Sequence, residues 1–210
     1  MWKLRYGLSK YSIGFFEEVF YQLVVKRTPL PKSPLFILGH HRSGTTYLQK
    51  LLSQNKQFVT PNLFDTVFPD MMVLGQKTIR PVLNFFCNRL KIDMELHNHM
   101  LHMDFPGEED VAMLGQLNPY AFNWSLMYPR EANIIMDKSI NNIQANIEAT
   151  EHWKKDFIKL IKKLQFLHPG KELLLKSPPH MGRLKTLLSI FPEAKFIYIM
   201  RDPYTLYPCM

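Results

Sequence analysis

Apolar positions change their spacing several times along this chain, and each change predicts a different element. The run LFILG at Leu35–Gly39 is continuous, short and closed by glycine. That pattern predicts a strand buried on both faces of a parallel sheet. Residues 45–55 (TTYLQKLLSQN) switch to helical spacing, with Tyr47, Leu48, Leu51 and Leu52 on one face. Two further short apolar runs, at residues 172–178 and 194–200, flank a helix predicted over residues 179–191, with Pro179 near its first turn. Strand, helix and strand in succession imply a right-handed crossover in a parallel sheet. Ligands of such sheets bind beyond the carboxyl ends of the strands. Residues 143–166 predict a long amphipathic helix whose core stripe is Trp153, Phe157, Leu160, Ile161 and Leu164, stopped by the HPG at residues 168–170.

The remaining stretches are weaker. Residues 1–27 read as an aromatic-rich helical extension and residues 27–34 (RTPLPKSP) as a proline-rich connector. Within the extension, residues 13–25 are interrupted by Glu17, Glu18 and Gln22, too polar to be a signal-peptide core or a bilayer span. An amphipathic helix is expected there, packed on the protein rather than on a membrane surface. Residues 56–135 predict short helices and loops. The expected architecture is α/β, a P-loop-like parallel sheet flanked by helices, with an extension and connector over residues 1–33 and one domain over residues 34–210.

Composition adds little to the fold and something to the partners. The chain is 46% hydrophobic and 21% charged, which excludes a disordered chain. Its formal charge of +8 favours anionic partners. The basic residues are scattered and no nucleic-acid recognition motif appears. Two cysteines, Cys87 and Cys209, show no disulfide or metal-ligand spacing, so a reducing, cytoplasmic compartment is the default expectation.

The chemistry concentrates in GHHRSGTT at residues 39–46, between a predicted strand and a predicted helix. Gly39 and Gly44 have the spacing of a Walker-type phosphate loop, in which glycines let successive N–H groups converge on an anion. The start of the helix adds its positive end. Ser43, Thr45 and Thr46 add hydroxyls, and Arg42 adds a charged fork. A nucleotide triphosphatase loop needs Lys directly after the second glycine. Here that position is Thr45, and the cation precedes the glycine at Arg42.

That placement resembles the PKSGTT or PRSGTT loop of PAPS-dependent sulfotransferases, which holds the 5′-phosphosulfate of the donor 3′-phosphoadenosine 5′-phosphosulfate (PAPS). A second resemblance lies in RDPYTLYPCM at residues 201–210. In that family an RDP or RNP segment after a strand supplies an Arg for the donor's 3′-phosphate, which matches Arg201, and a Ser eight positions later, which falls on Cys209. The thiol is the weaker donor. LLLKSPPHMGRLKTLLSIFPEAKFI at residues 173–197 is similar to the bacterial-type branch, placing Lys176 and His180 near the crevice. The resemblance implies sulfuryl transfer from PAPS to a hydroxyl or amine, with no metal. It makes Arg42 the electrophilic clamp and puts Ser43, Gly44, Thr45, Thr46, Arg201 and Cys209 in the donor site. The general base is expected in a segment similar to the family's PEED region, with Glu109 first, Glu108 next, and His40, His41 and His102 as alternatives. Members of this family usually continue past the second anchor, so a C-terminally incomplete chain is expected. A partial or inactive PAPS-binding domain is one alternative. A P-loop phosphotransferase, with Asp137 as the nearest magnesium partner, is the other. The acceptor is a small molecule, lipid or glycan, and membrane-surface contact stays open.

Overall fold

The apolar runs of the sequence assemble into one parallel sheet, described in a computed structural model that covers residues 13–90, 93–94, 99–100, 102–141 and 145–206. Its strands are β1 (Leu35–Gly39), β2 (Phe58–Val59), β5 (Glu172–Lys176) and β6 (Lys195–Ile199), in the order β2-β5-β1-β6. A separate antiparallel pair is formed by β3 (Asp93–Met94) and β4 (His99–Met100). Residue pairings Ile37 with Lys176 and Gly39 with Ile199 bring the carboxyl ends of β5, β1 and β6 to one edge. The loop after β1 and the segment after β6 therefore share a rim, as the strand–helix–strand pattern predicts.

The helices are α1 (Ile13–Leu23), α2 (Thr45–Ser53), α3 (Leu63–Val67), α4 (Ile79–Leu90), α5 (Glu109–Gly115), α6 (Trp124–Met127), α7 (Ala132–Met136), α8 (Ile147–Leu167), α9 (Leu184–Ile190) and α10 (Pro203–Leu206). None of those described is long and apolar enough to cross a membrane. Helix α8 begins at Ile147 because the Asn146 side chain accepts the Ala149 N–H at 3.0 Å and caps it there. It buries Trp153, Phe157, Leu160, Ile161 and Leu164 in one cluster with Phe36, Leu173 and Leu175 of the sheet. Each such side chain contributes about 2 kcal/mol of burial, so this stripe holds the sheet's covered face.

Three expectations change. Residues 178–183 form a 3-10 turn, and α-helix starts only at Leu184. Ser177, the residue before Pro178, is held extended at ψ 128°, as residues preceding proline are, so no helical turn begins before Pro178. Helix α2 does not bury the expected apolar face. Gln49 and Thr45 are its buried residues, while Tyr47 is 69% exposed. Gln49 explains this, since its amide donates to Thr60 Oγ1 at 2.6 Å and to the Gly107 carbonyl at 3.3 Å. Helix α1 packs on the protein through a buried charge as well as through Tyr21 and Phe20: Glu17 pairs with buried Lys163 of α8 at 2.7 Å.

One loop pairing positions the site. Residues 61–64 lie along residues 103–107, with Leu63 N–H to Phe105 O at 2.7 Å, Phe64 N–H to Met103 O at 3.1 Å and Gly107 N–H to Pro61 O at 2.8 Å. Asn62 and Asp65 hold the start of α3 by a reciprocal capping box. A β-carbon on Gly107 would come within 2.6 Å of Thr66 Cγ2 and 2.9 Å of the Asn62 carbonyl, so only glycine permits this approach. The strap then delivers Glu108, Glu109 and Asp110 to the edge of the sheet.

Candidate functional site

The turn at residues 39–46 folds on its own glycines and on Ser43. A β-carbon on Gly39 would come within 2.8 Å of Ser43 Oγ and of Thr45 Cγ2. Gly44, the residue before α2, has φ 97°, and Arg42 has φ 65°, two left-handed residues that reverse the chain within three positions. For Arg42 this conformation is uncommon and costs on the order of 1 kcal/mol. Ser43 locks the turn by donating both its N–H (3.2 Å) and its hydroxyl (2.7 Å) to the His40 carbonyl. Ser43 thus shapes the loop, and its donors are already engaged.

The remaining donors are open. Among the described residues, no protein acceptor meets the backbone N–H groups of Gly44, Thr45 and Thr46, at the start of α2. These are orphan donors of a helix start, and they favour an anion. No described residue engages the exposed Arg42 guanidinium. Arg201, after β6, donates from Nη1 to the Arg42 carbonyl at 2.9 Å, which brings the second expected anchor against the first. Cys209 lies outside the described residues.

Lys176, the last residue of β5, is the second cation of this edge. Its side chain is buried, and Nζ donates to Thr46 Oγ1 at 3.2 Å and to the Glu108 carboxylate. Thr46 therefore accepts from Lys176 and keeps its own hydroxyl proton to donate. His41 stacks on Phe122, ring centroids 5.8 Å apart. Loss of hydration on that side lowers the His41 pKa below the ordinary imidazole value, and the charge of Glu108 opposes the shift.

The acidic run and the turn after β5 pair residue by residue. Glu108 binds the Lys176 ammonium. Glu109 accepts the Lys176 backbone N–H at 2.7 Å, and its other oxygen faces His180 Nε2 at 3.6 Å, both side chains fully buried. Asp110 binds Arg183, again with both side chains buried. Arg183 also donates to the Ser139 carbonyl at 2.7 Å and lies 4.8 Å above the Trp153 ring. Asp110 further accepts the Phe122 N–H at 3.0 Å, fixing the ring on which His41 stacks.

Of the expected site residues, Arg42, Gly44, Thr45, Thr46 and Arg201 meet at one rim, with Lys176 beside them. Glu109 does not reach that rim. It is enclosed under Lys176 and its carboxylate already accepts a backbone proton, so no acceptor substrate can approach it in this arrangement. His102 pairs with Asp104 at 2.9 Å, on the strap. Asp110 and Arg183 are the residues that sequence reasoning missed. The available signal was three successive acids far upstream of a Lys, a His and an Arg within eight residues.

Comparison with known proteins agrees with the architecture. Over 198 residues the chain is 28% identical to proteins named omega-hydroxy-beta-dihydromenaquinone-9 sulfotransferase Stf3 from Mycobacterium bovis and Mycobacterium tuberculosis. Each match covers 93% of this chain and 49% of the relative, so the chain spans about half the length of the curated relatives it matches. The crystal structure of sulfotransferase STF1 from Mycobacterium tuberculosis H37Rv superposes with a TM-score of 0.64 at 15% identity, over 90% of this chain and 51% of that one. That of STF9 from Mycobacterium avium gives 0.61 at 21% identity, over 90% and 48%. Both show the fold. A family model described as Sulfotransfer_3, sulfotransferase family, matches residues 34–210, and the chain belongs to that family.

Proposed function

We propose that this protein transfers a sulfuryl group from PAPS to the hydroxyl of an apolar acceptor. One observation carries the reading: the unpartnered N–H groups of Gly44, Thr45 and Thr46 lie at the carboxyl edge of a parallel sheet, with Arg42 in the same turn and Lys176 beside it. Such a cradle fits a phosphosulfate, which offers several anionic oxygens and needs no metal to be held. The donor, when bound, supplies an electrophilic sulfur whose bond to the 5′-phosphate oxygen breaks as the acceptor oxygen joins it. The protein's part is positioning and charge. Arg42 acts as a charged fork on the sulfuryl oxygens. Lys176, held at Thr46, is placed to neutralise charge on the leaving oxygen. Arg201 supports the 3′-phosphate end, the end to which the family resemblance also assigns Cys209.

Glu108 takes the base role that the sequence assigned first to Glu109. It is a third exposed, and it lies one ammonium group away from the turn. The buried Glu109 becomes the support that fixes Lys176 through its backbone. The name of the relatives, which states a hydroxylated menaquinone derivative, supports the acceptor class. A hydroxyl-bearing lipid or quinone is the corresponding acceptor here.

Transfer of label from PAPS to a hydroxylated quinone tests the reading. Arg42→Ala should lower kcat/KM about 10²- to 10³-fold, the loss typical of a transition-state donor. A loss of only a few-fold would contradict the assignment.

A further inference from the structure

Helix α1 leaves one of its apolar stripes uncovered. Helical geometry puts Phe16, Val19 and Leu23 on one stripe, with Phe15 beside it. The structure turns that stripe to solvent, with Phe15 60%, Phe16 66%, Val19 40% and Leu23 63% exposed. The side facing the protein carries buried Tyr21, Phe20 packed edge-on against Phe166 at 5.8 Å, and a buried acid. Glu17 is buried, pairs with Lys163 and accepts the Val73 and Leu74 N–H groups at 2.9 Å each. Glu18 pairs with Lys159 at 2.5 Å. These contacts fix the rotation of the helix about its axis. Rolling the apolar stripe inward would leave the Lys163 charge buried without its partner, a costly state. The outward stripe is therefore a consequence of the fold.

Charge indicates what covers it. Helix α1 runs into Lys26 and Arg27, both exposed, and Lys162 donates to the Lys26 carbonyl at 2.6 Å. The twelve residues preceding α1 contain Lys3, Arg5 and Lys10 with Trp2, Tyr6 and Tyr11, and no acid. Lysine is depleted at protein–protein interfaces. Phe and Leu flanked by basic and aromatic residues instead suit the headgroup region of an anionic bilayer.

We propose that α1 docks the protein on an anionic lipid surface. Phe15, Phe16, Val19 and Leu23 enter the boundary between headgroups and acyl chains, and Lys26 and Arg27 lie at the lipid phosphates. The inference rests on α1 and its flanks and stands independently of the transfer reading. It also supplies a route by which a membrane-resident acceptor would be at hand.

Flotation of the purified protein with vesicles tests it, using phosphatidylcholine–phosphatidylglycerol mixtures against phosphatidylcholine alone. The wild type should float with the anionic vesicles and release as salt is raised. Phe16→Ser with Leu23→Ser should weaken partitioning about tenfold or more, by removing apolar insertion. Lys26→Glu with Arg27→Glu leaves every α1 side-chain contact in place and should also weaken it about tenfold. Equal flotation of wild type and both variants would overturn the proposal, as would equal binding to neutral and anionic vesicles. So would self-association that Phe16→Ser with Leu23→Ser abolishes in a protein that binds no vesicle, because the stripe would then meet a second copy.

Discussion

The turn at residues 39–46 and the segment at residues 176–183 leave the same edge of the sheet, and they treat polar groups in opposite ways. The turn leaves three backbone N–H groups and a guanidinium without protein partners among the described residues. The second segment engages its cations with the acids of residues 108–110, with Arg183 and Asp110 almost wholly buried. Unmet donors at a surface turn await a ligand, whereas buried charges that are mutually satisfied specify a scaffold. Lys176 belongs to both, because its ammonium touches Thr46 of the turn and Glu108 of the scaffold.

The comparison breaks first at Asp110. Asp110→Ala strands the Arg183 charge and should destabilise the fold by about 3–5 kcal/mol in urea unfolding. Adding Arg183→Met should restore most of that loss. An unchanged midpoint for the single variant would mean that the pair does not hold the scaffold.

Asp65 sharpens the contrast from the other side, because this buried acid is met chiefly by neutral donors. Its carboxylate accepts the Asn62 N–H at 3.0 Å and the Gln76 amide at 2.5 Å. Burial raises its pKa from 3.8 to about 6, against the opposing pull of those hydrogen bonds. A raised folded-state pKa favours the protonated form. The stability that Asp65 contributes is thus complete below its ordinary value and is lost as pH rises through about 6. The loss from this group should be about 3 kcal/mol across that window. Asp65→Asn should flatten this part of the stability–pH curve. A curve identical to the wild type would remove Asp65 as its source.

Lys176→Met separates the two roles. It keeps the aliphatic volume and should lower kcat/KM about 10²-fold. Unfolding free energy should change by only about 1 kcal/mol, because the released Glu108 is partly exposed to water. A large stability loss with intact turnover would place Lys176 wholly in the scaffold.

Much of the rim was legible in the sequence because local rules write it. A glycine-closed apolar run must be a buried strand, and Gly39 and Gly44 at that spacing must curl the chain. The matching run at Lys195–Ile199 likewise placed Arg201 beside the turn. The scaffold was less legible because it depends on contacts across about seventy residues, which periodicity does not encode. Glu109 shows the cost: an acid in a GEED run reads as solvated or catalytic, while the strap at residues 103–107 carries it beneath Lys176. Helix α1 misleads similarly. Its Phe16–Val19–Leu23 stripe reads as core, while the long-range Glu17–Lys163 and Glu18–Lys159 pairs set the rotation that leaves this stripe outside. Cys209, the one expected donor residue beyond position 206, stays an inference from resemblance.

The most direct test of the central claim follows the amides themselves. Titrating adenosine 3′,5′-bisphosphate into nitrogen-15-labelled protein should shift the N–H signals of Gly44, Thr45 and Thr46 most strongly, with Arg42→Ala weakening the saturation. Unmoved signals from that turn, while others shift, would contradict the account.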